Sequence, residues 1–175
     1  MHMNNIEFWA QLVGFGSFIL GLLAFYQKND RNLKKIMLLF NLNHMLHFVL
    51  LGSSVSALCA AIAALRTGTS IYTASKAIAS FYMVIGIAIG IYLAESWWAI
   101  FPIMGSAVGT FAIFFLTGIK MRCFFLFGAG CWLINNVVVG SYGGVLLEAS
   151  LIFINSITIF RLATAKLPQL TREPT

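Results

Sequence analysis

The stretch that decides the fold runs from residue 120 to residue 161, KMRCFFLFGAGCWLINNVVVGSYGGVLLEASLIFINSITIFR. Lys120 and Arg122 lie at its start and Arg161 lies at its end. Between them are two apolar runs of about 20 residues each, the length that crosses a bilayer as a helix. A Gly-Ser turn at 140–141 separates the two runs. The stretch therefore predicts a hairpin of two membrane-spanning helices.

The rest of the chain has the same composition. Of its 175 residues 60% are hydrophobic and only 9% are charged, and the mean hydropathy is +0.91. Soluble domains carry about 25% charged residues, so a water-covered globule, a disordered chain and a nucleic-acid-binding protein are excluded. Seven apolar runs predict seven spans and leave no room for a soluble domain: 7–26, 33–51, 54–67, 75–94, 97–117, 121–139 and 143–162.

The basic residues mark alternate ends of these runs. All eleven follow the first, third, fifth or seventh run, whereas Glu7 and Glu95 lie on the opposite side. Because cytoplasmic loops are enriched in Lys and Arg, the N-terminus is predicted outside and the C-terminus inside, with a cytoplasmic tail at 163–175. The pattern also requires the short third run to cross the membrane. The basic residues are Lys28, Arg31, Lys34, Lys35, Arg66, Lys76, Lys120, Arg122, Arg161, Lys166 and Arg172.

An internal repeat is indicated at an offset of 88 residues, the separation of Trp9 and Trp97. The other pairs at this offset are Ser17 with Gly105, Gly21 with Gly109, Lys34 with Arg122, and Gly52-Ser53 with Gly140-Ser141. The pairs predict a single membrane domain made of two three-helix units, residues 7–67 and 97–162, joined by a linker helix at 75–94. Because three spans reverse direction, the linker makes the units parallel, a repeat type known in transporters.

Polar side chains inside the predicted spans are the candidate site residues, since such groups are costly in a bilayer and usually functional. At a rise of about 1.5 Å per residue, those of spans two and six share one layer in the outer half with the acid of span seven. The predicted substrate-binding residues are Trp132, Asn136, Asn155, Glu148, His47, Asn135 and His44.

Each of these side chains suits a small solute. Trp132 offers a flat surface for stacking a ring, and the amides of Asn135 and Asn136 can bond hydroxyl groups. Glu148 can pair with His47 or carry a proton, while the deeper Asn155 can close the site from below. An alternative stays open, because Asn and His also join helices within membrane bundles.

No pattern in the sequence indicates enzymatic chemistry or a cofactor. The chain shows no phosphate loop, nucleophile elbow, paired catalytic carboxylates or nucleophile–base pair, so an enzyme is not expected. The pair His44-x-x-His47 lacks a third fixed ligand, and Cys59, Cys123 and Cys131 show no metal spacing, so no metal is expected. The expected partners are the lipid bilayer and a small-molecule solute, without nucleic acid; a homo-oligomer stays open.

A set of residues resembles the YgjV-type bacterial inner-membrane protein family over nearly the whole chain. It comprises Met121-Arg122-Cys123, Cys131-Trp132, Asn136, Gly140-Ser141, Gly143-Gly144, Glu148, Asn155 and Arg161, with His47-Phe48 and Gly52 in span two. The resemblance implies a location in the bacterial inner membrane. It also implies an architecture similar to SWEET, PQ-loop and PnuC transporters, in which Trp and Asn of the second and third helices line a central site. Family members can carry Asn and Arg where this chain has Ala57 and Ala60.

The sequence thus predicts an all-α integral membrane protein with seven transmembrane helices in a 3+1+3 parallel-repeat, SWEET-like arrangement. The leading hypothesis for its function is a facilitator or proton-coupled carrier of a sugar-, nucleoside- or vitamin-like solute. The alternative is a non-transporting membrane receptor, assembly factor or partner protein.

Overall fold

The computed structural model describes residues 5–26, 30–73, 75–116 and 118–170. Within these ranges the chain forms seven α-helices and one 3₁₀ turn, Trp97–Ala99, and no β-strand. The helices are α1 (Asn5–Tyr26), α2 (Asp30–Leu50), α3 (Ser54–Ser70), α4 (Lys76–Tyr92), α5 (Ile100–Phe115), α6 (Gly118–Val138) and α7 (Tyr142–Leu170). The all-helical prediction is confirmed, and each helix overlaps a predicted apolar run. α7 continues to Leu170, eight residues beyond its run and into the segment 163–175 that was predicted as a tail. Lys28, Arg172 and the side chains of Arg161 and Lys166 lie outside the described residues.

The helices differ in how apolar they are. Among the described residues, two helical segments are both long and apolar enough to cross a membrane, Asn5–Ala24 and Trp97–Phe115. α2 is less apolar because it begins with charged residues such as Arg31 and Lys35 and also carries Asn41, His44 and His47 further along. The structure buries Asn41, His44 and His47 against other helices, so the polar groups in the middle of α2 belong to the interior of the bundle.

The turns after α2 and α6 have the same backbone geometry. Gly52 has φ +72° and Gly140 has φ +71°, in the left-handed region that glycine adopts without strain. The amide that follows each glycine donates to a carbonyl five residues earlier, Ser53 to Phe48 at 3.0 Å and Ser141 to Asn136 at 2.8 Å. Both helices therefore end in a Schellman motif, which satisfies carbonyls that the helix end would leave unpaired.

Six of the helices close into a ring. α2 packs between α1 and α3, α6 packs between α5 and α7, and the ring closes where α1 meets α7 and α3 meets α5. α4 packs outside the ring against α3 and α5, and only Ala79 and Gly90 of this helix are buried. α2 and α6 face each other across the ring through the ring contact of His44 with Trp132.

The two contacts that close the ring are built differently. Between α1 and α7 the backbones touch, because a Cβ on Gly143 would overlap the carbonyl group of Gly14. Small residues allow such close approach where lipid gives helices no hydrophobic drive to associate. Between α3 and α5 the packing uses larger side chains, among them Val55 and Ile103. The α1–α7 contact is therefore the closer of the two.

Candidate functional site

The centre of the ring holds a stack of aromatic side chains, which we call the central cluster: His44 and Phe48 of α2 and Trp132 of α6. The Phe48 and Trp132 rings are stacked, with centroids 5.7 Å apart and planes 22° apart. The centroid of His44 lies 4.5 Å from that of Phe48 and 6.0 Å from that of Trp132. The rings fill the centre at this depth, so a solute enters this layer only if α2 and α6 separate.

Several polar atoms beside the central cluster have no hydrogen-bond partner among the described residues. They are Nδ1 of His44, Nδ2 of Asn135, and both amide atoms of Asn136. Asn135 and Asn136 are 1% and 0% exposed, so neither amide reaches the surface. Each buried unpaired polar group costs about 1–3 kcal/mol. Such groups call for an explanation in a native structure, and a ligand that pairs with them is one.

Asn135 is only partly satisfied. Its Oδ1 accepts a hydrogen bond of 2.9 Å from Ser56 Oγ of α3, and Ser56 in turn accepts one of 2.7 Å from Ser53 Oγ. The amide nitrogen of Asn135 is the atom left over. Asn135 therefore fastens α6 to α3 and still has one buried donor without a partner among the described residues.

His47 is fully bonded and joins three segments. Its Nδ1 lies 2.7 Å from the carbonyl oxygen of Ala10 in α1, and its Nε2 lies 2.6 Å from Ser141 Oγ before α7. A carbonyl only accepts, so Nδ1 donates, and in the neutral ring Nε2 accepts the Ser141 hydroxyl hydrogen. Ser141 Oγ also accepts the amide hydrogen of Gly144 at 3.1 Å, which caps the first turn of α7.

The contact of His47 with Ser141 is a hydroxyl–imidazole pair that the sequence did not indicate. The two residues are 94 positions apart, and both are 0% exposed. No nucleophile–base pair was expected from the sequence, but the fold brings a serine hydroxyl and a histidine ring within hydrogen-bond distance. The pair holds helices together, because both nitrogens of the ring and both roles of the hydroxyl are taken by hydrogen bonds within the protein.

Glu148 does not pair with His47, contrary to the prediction. Both ring nitrogens of His47 are already bonded to Ala10 and Ser141. Glu148 itself is buried, at 6% exposed, on α7. It lies one residue after Leu147, whose side chain packs against Gly21 of α1. Glu148 is thus a buried acid that forms no ion pair with another described residue.

Asn155 lies away from the central cluster. Its Oδ1 accepts a hydrogen bond of 3.0 Å from the guanidinium of Arg122. Arg122 precedes Trp132 by ten residues on α6, which is about 15 Å along the helix axis. The structure therefore brings together Trp132, His44, Asn135 and Asn136, but it does not bring Asn155 to them.

Other polar side chains of α2 join helices within the first half of the chain. Asn43 Nδ2 donates to the carbonyl of Val13 at 2.7 Å and to Ser17 Oγ at 2.9 Å, both on α1. Asn41 Nδ2 donates to Thr67 Oγ1 of α3 at 3.1 Å. These bonds match the alternative that polar residues join helices, and they set Asn41 and Asn43 apart from the unpartnered amide of Asn136.

Arg66 was wrongly interpreted from the sequence as a charge flanking the third span. α3 continues to Ser70, and Arg66 is 7% exposed inside the bundle. Its Nη1 donates to the carbonyl of Ser106 at 3.2 Å and to Thr110 Oγ1, both on α5. The error arose because the apolar run is interrupted at Arg66, and the run alone does not show that the helix continues.

Two positions where members of the resembled family can carry Asn and Arg hold alanine in this chain, and the structure shows where they lie. Ala57 and Ala60 of α3 are buried in one apolar cluster with Phe48, and Trp132 packs against this cluster. An Asn or Arg at these positions would enter the same layer as the central cluster. In this chain the first half contributes mainly apolar groups there, and the second half contributes the amides.

Comparisons with known proteins identify the kind of protein. A family model described as bacterial inner membrane protein, Imp-YgjV, matches residues 8–166. The inner membrane protein YgjV of Escherichia coli strain K12 is 32% identical over 155 residues, which cover 88% of this chain and 85% of that protein. No solved structure matches the chain.

Proposed function

Because the chain belongs to the Imp-YgjV family of bacterial inner membrane proteins, we propose that it transports a small solute across that membrane. The solute is of sugar, nucleoside or vitamin size and binds in the layer between α2 and α6. The family description names a location and no activity. The proposal therefore depends on the chemistry of the central cluster and its neighbours.

The observation that carries the proposal is the set of unpartnered buried polar atoms on α2 and α6, the two helices that hold the central cluster. Asn136 offers one donor and one acceptor, Asn135 offers a donor, and His44 offers Nδ1. A planar solute stacked on Trp132 would pair with these atoms and remove their desolvation cost. Sites that bind small molecules combine an apolar lining with a few convergent polar groups, as this layer does.

The proposal includes the 3+1+3 parallel repeat. Shifting the chain by 88 residues turns α1, α2 and α3 into α5, α6 and α7, and each helix contact in the first half then has a counterpart in the second. When the two halves are exchanged, α1 corresponds to α5 and α7 to α3, so the contact of α1 with α7 has its counterpart in the contact of α5 with α3. The matching turns at Gly52 and Gly140 and the peripheral position of α4 also support it.

Transport in this arrangement requires α2 and α6 to separate from one end. At the end near the N-terminus the ring is fastened by His47 with Ser141, and by Gln11, whose amide donates to Gly140 O at 2.6 Å and accepts from Tyr142 N at 3.1 Å. The proposed topology, with the N-terminus outside, makes this the outer end. The structure then represents a state closed to the outside.

A flux measurement tests the function. The purified protein in liposomes is expected to move at least one solute from a panel of sugars, nucleosides and vitamins, and the same solute is expected to raise its melting temperature. Asn136→Leu keeps the branched shape but loses both polar amide atoms, so flux is expected to fall at least tenfold. Ser150→Ala is the control, because Ser150 Oγ bonds only to Leu146 O of its own helix. Absence of both flux and stabilisation across the panel would overturn the proposal.

Fusions to reporters that are active on only one side of the membrane test the topology. A reporter after residue 175 is expected to be active in the cytoplasm, and one in the connection between α4 and α5, near Glu95, is expected to be active outside. The opposite result would place the end fastened by His47 and Ser141 on the cytoplasmic side and overturn the proposed topology.

A non-transporting membrane protein is the second candidate, and the close packing of the bundle favours it. The rings of the central cluster are in contact, and the α1–α7 backbones touch, as expected of a scaffold. Recovery of one stoichiometric partner, together with normal function of Asn136→Leu, would favour this candidate. Solute flux by the partner-free protein would exclude it.

A further inference from the structure

Arg66 is a buried cation without a matching anion. It is 7% exposed, and no carboxylate among the described residues forms an ion pair with it. α5, which holds the guanidinium, contains no acidic residue, and neither does α4. Arginine stays protonated in proteins, and a buried charge is costly unless it is paired. The charge at Arg66 therefore calls for an anion.

One edge of the guanidinium is already occupied and the other is not. Nη1 donates to the carbonyl of Ser106 and to Thr110 Oγ1, which fixes the group against α5. Nε, on the opposite edge, is buried and has no partner among the described residues. An arginine edge with two parallel N–H groups matches the two oxygens of a carboxylate or phosphate. The edge that contains Nε is therefore available to an oxyanion.

A small cavity lies beside the two residues that hold the guanidinium. It measures about 10 Å³, which is room for one water-sized group. Residues of α4 and α5 form most of its lining, with Cys59 from α3, and the lining includes Ser106 and Thr110 but not Arg66 itself. Gly109 lies against the guanidinium, because a Cβ there would be in contact with Nη1 of Arg66 at 3.6 Å.

Arg66 and Trp132 lie over neighbouring turns of the same helix. A Cβ on Gly105 would lie 2.7 Å from the Trp132 ring, while Gly109 faces the guanidinium. The two glycines are four residues apart, a rise of about 6 Å along α5. Cys59 and Ile103, which line the cavity, also belong to the cluster against which Trp132 packs. A ring on Trp132 and an acid group at Arg66 are thus within the span of one small molecule.

We propose that the Nε edge of Arg66, which Ser106 O and Thr110 Oγ1 hold in place through Nη1, is an oxyanion site, and that the solute is a planar ring compound bearing a carboxylate or phosphate group. The claim that this ligand is the transported solute rests on the proposed function. The oxyanion site itself does not. Because the site lies where α3 meets α5, the acid group binds between the two halves of the chain.

Matched acid and amide probes test the proposal by melting temperature at constant ionic strength. Benzoate carries a ring and an acid, benzamide carries the same ring without the charge, and acetate with acetamide forms the pair without a ring. The wild type is expected to be stabilised saturably by benzoate, less by acetate, and least by the two amides. Equal effects of acid and amide on the wild type would overturn the proposal without any variant.

Two substitutions assign the effect to Arg66. Arg66→Gln is expected to raise the half-saturating benzoate concentration at least tenfold, whereas Arg122→Gln, at an arginine already bonded to Asn155, is expected to leave it unchanged. If Arg66→Gln does not fold, Arg66→Lys keeps the charge but loses the fork and is expected to weaken benzoate binding. An acid preference that survives in the folded Arg66 variant would overturn the assignment.

The source of the oxyanion and the question of transport are separated by two further measurements. Stabilisation by phosphatidylglycerol that depends on Arg66, without any effect of benzoate, would give the site to a lipid headgroup and overturn the solute assignment. Benzoate binding at Arg66 without flux of any solute would keep the oxyanion site and overturn transport. Flux of neutral solutes without an acid preference would keep transport and overturn the oxyanion site.

Discussion

The first half of the chain, residues 7–67, and the second half, residues 97–162, have the same turn in equivalent places. Gly52 and Gly140 both adopt a left-handed φ, and the residue after each makes the same backbone hydrogen bond. The residue whose carbonyl accepts this bond differs between the halves. It is Phe48 in the first half and Asn136 in the second. A turn needs a particular backbone geometry, whereas a central side chain can change its chemistry without disturbing that geometry.

The contacts that close the ring differ in the same way. Gly143 of the second half touches the backbone of Gly14, while the equivalent position in the first half holds Val55, which packs with Ala99 and Ile103. The contact of α3 with α5 contains the buried Arg66, and the small cavity next to it is lined mainly by α4 and α5. Close backbone packing therefore fixes one side of the ring, and polar chemistry lies on the other.

Gly143→Ala is expected to have the largest effect on this comparison. A Cβ at Gly143 would meet backbone atoms of Gly14 and Phe15, which cannot move aside as a side chain does. We expect a loss of about 3 kcal/mol in the free energy of unfolding, at the upper end for overpacking. The measurement is thermal or denaturant unfolding in detergent.

Gly130→Ala is the matched control, because no atom lies within 4 Å of a Cβ at that position. It is expected to keep or slightly raise stability, since alanine favours helix over glycine by about 1 kcal/mol. Equal stability of Gly143→Ala and Gly130→Ala would show that the α1–α7 contact is not as close as described.

Asn136→Leu and Asn43→Leu are expected to change stability in opposite directions. Asn136 has two unpartnered buried atoms, so leucine removes a desolvation cost of about 1–3 kcal/mol and raises the melting temperature. Leucine at position 43 loses the bonds to Val13 O and Ser17 Oγ. It is therefore expected to lower the free energy of unfolding by about 1–3 kcal/mol and to lower the melting temperature. Unfolding curves of the two variants beside the wild type provide the measurement.

A destabilised Asn136→Leu would mean that the amide is paired in the native protein and would remove the main support for the central site. A stabilised but inactive Asn136→Leu would indicate that the amide is kept for function at the expense of stability. The same variant thus connects the stability comparison to the flux assay.

The smallest effect is expected for the basic residue at the start of the middle helix in each half. Arg122 donates to Asn155 on α7, and Lys34 donates to the carbonyl of Ser70 on α3 at 2.6 Å. Because both side chains are only partly buried, Arg122→Gln and Lys34→Gln are each expected to cost about 1 kcal/mol or less. A loss above about 3 kcal/mol for either would indicate a fully desolvated ion, contrary to its partial exposure.

Much of the fold was predictable because lipid imposes a simple rule on sequence. Apolar runs of membrane length and Gly-Ser turns gave both ends of α6 and the start of α7 to within about three residues, since a helix satisfies its own backbone hydrogen bonds in lipid. The equal depth of His44 and Trp132 also followed from counting residues along two spans. Counting does not give the direction in which a side chain points, and for that reason Glu148 and Asn155 were assigned to the wrong neighbours.

Arg66 shows the same limit most clearly. In the sequence it is one more basic residue near the end of an apolar run, like Lys34 and Lys120. In the folded chain it is buried between α3 and α5, and Ser106 and Thr110, its two partners on α5, are separated from it by at least 40 positions. Only the packing of two distant helices reveals that its charge lies inside the bundle.

The sequence by itself determined that the chain is helical and apolar and that it turns at Gly52 and Gly140, because composition, run length and the left-handed turn are local properties. The tertiary structure decided which polar groups meet. His47 joins Ser141, Arg122 joins Asn155, and the atoms of Asn136 stay unpaired beside Trp132. These contacts depend on how each helix is rotated about its axis and on which helices are neighbours in the ring. Packing among residues far apart in the chain sets both.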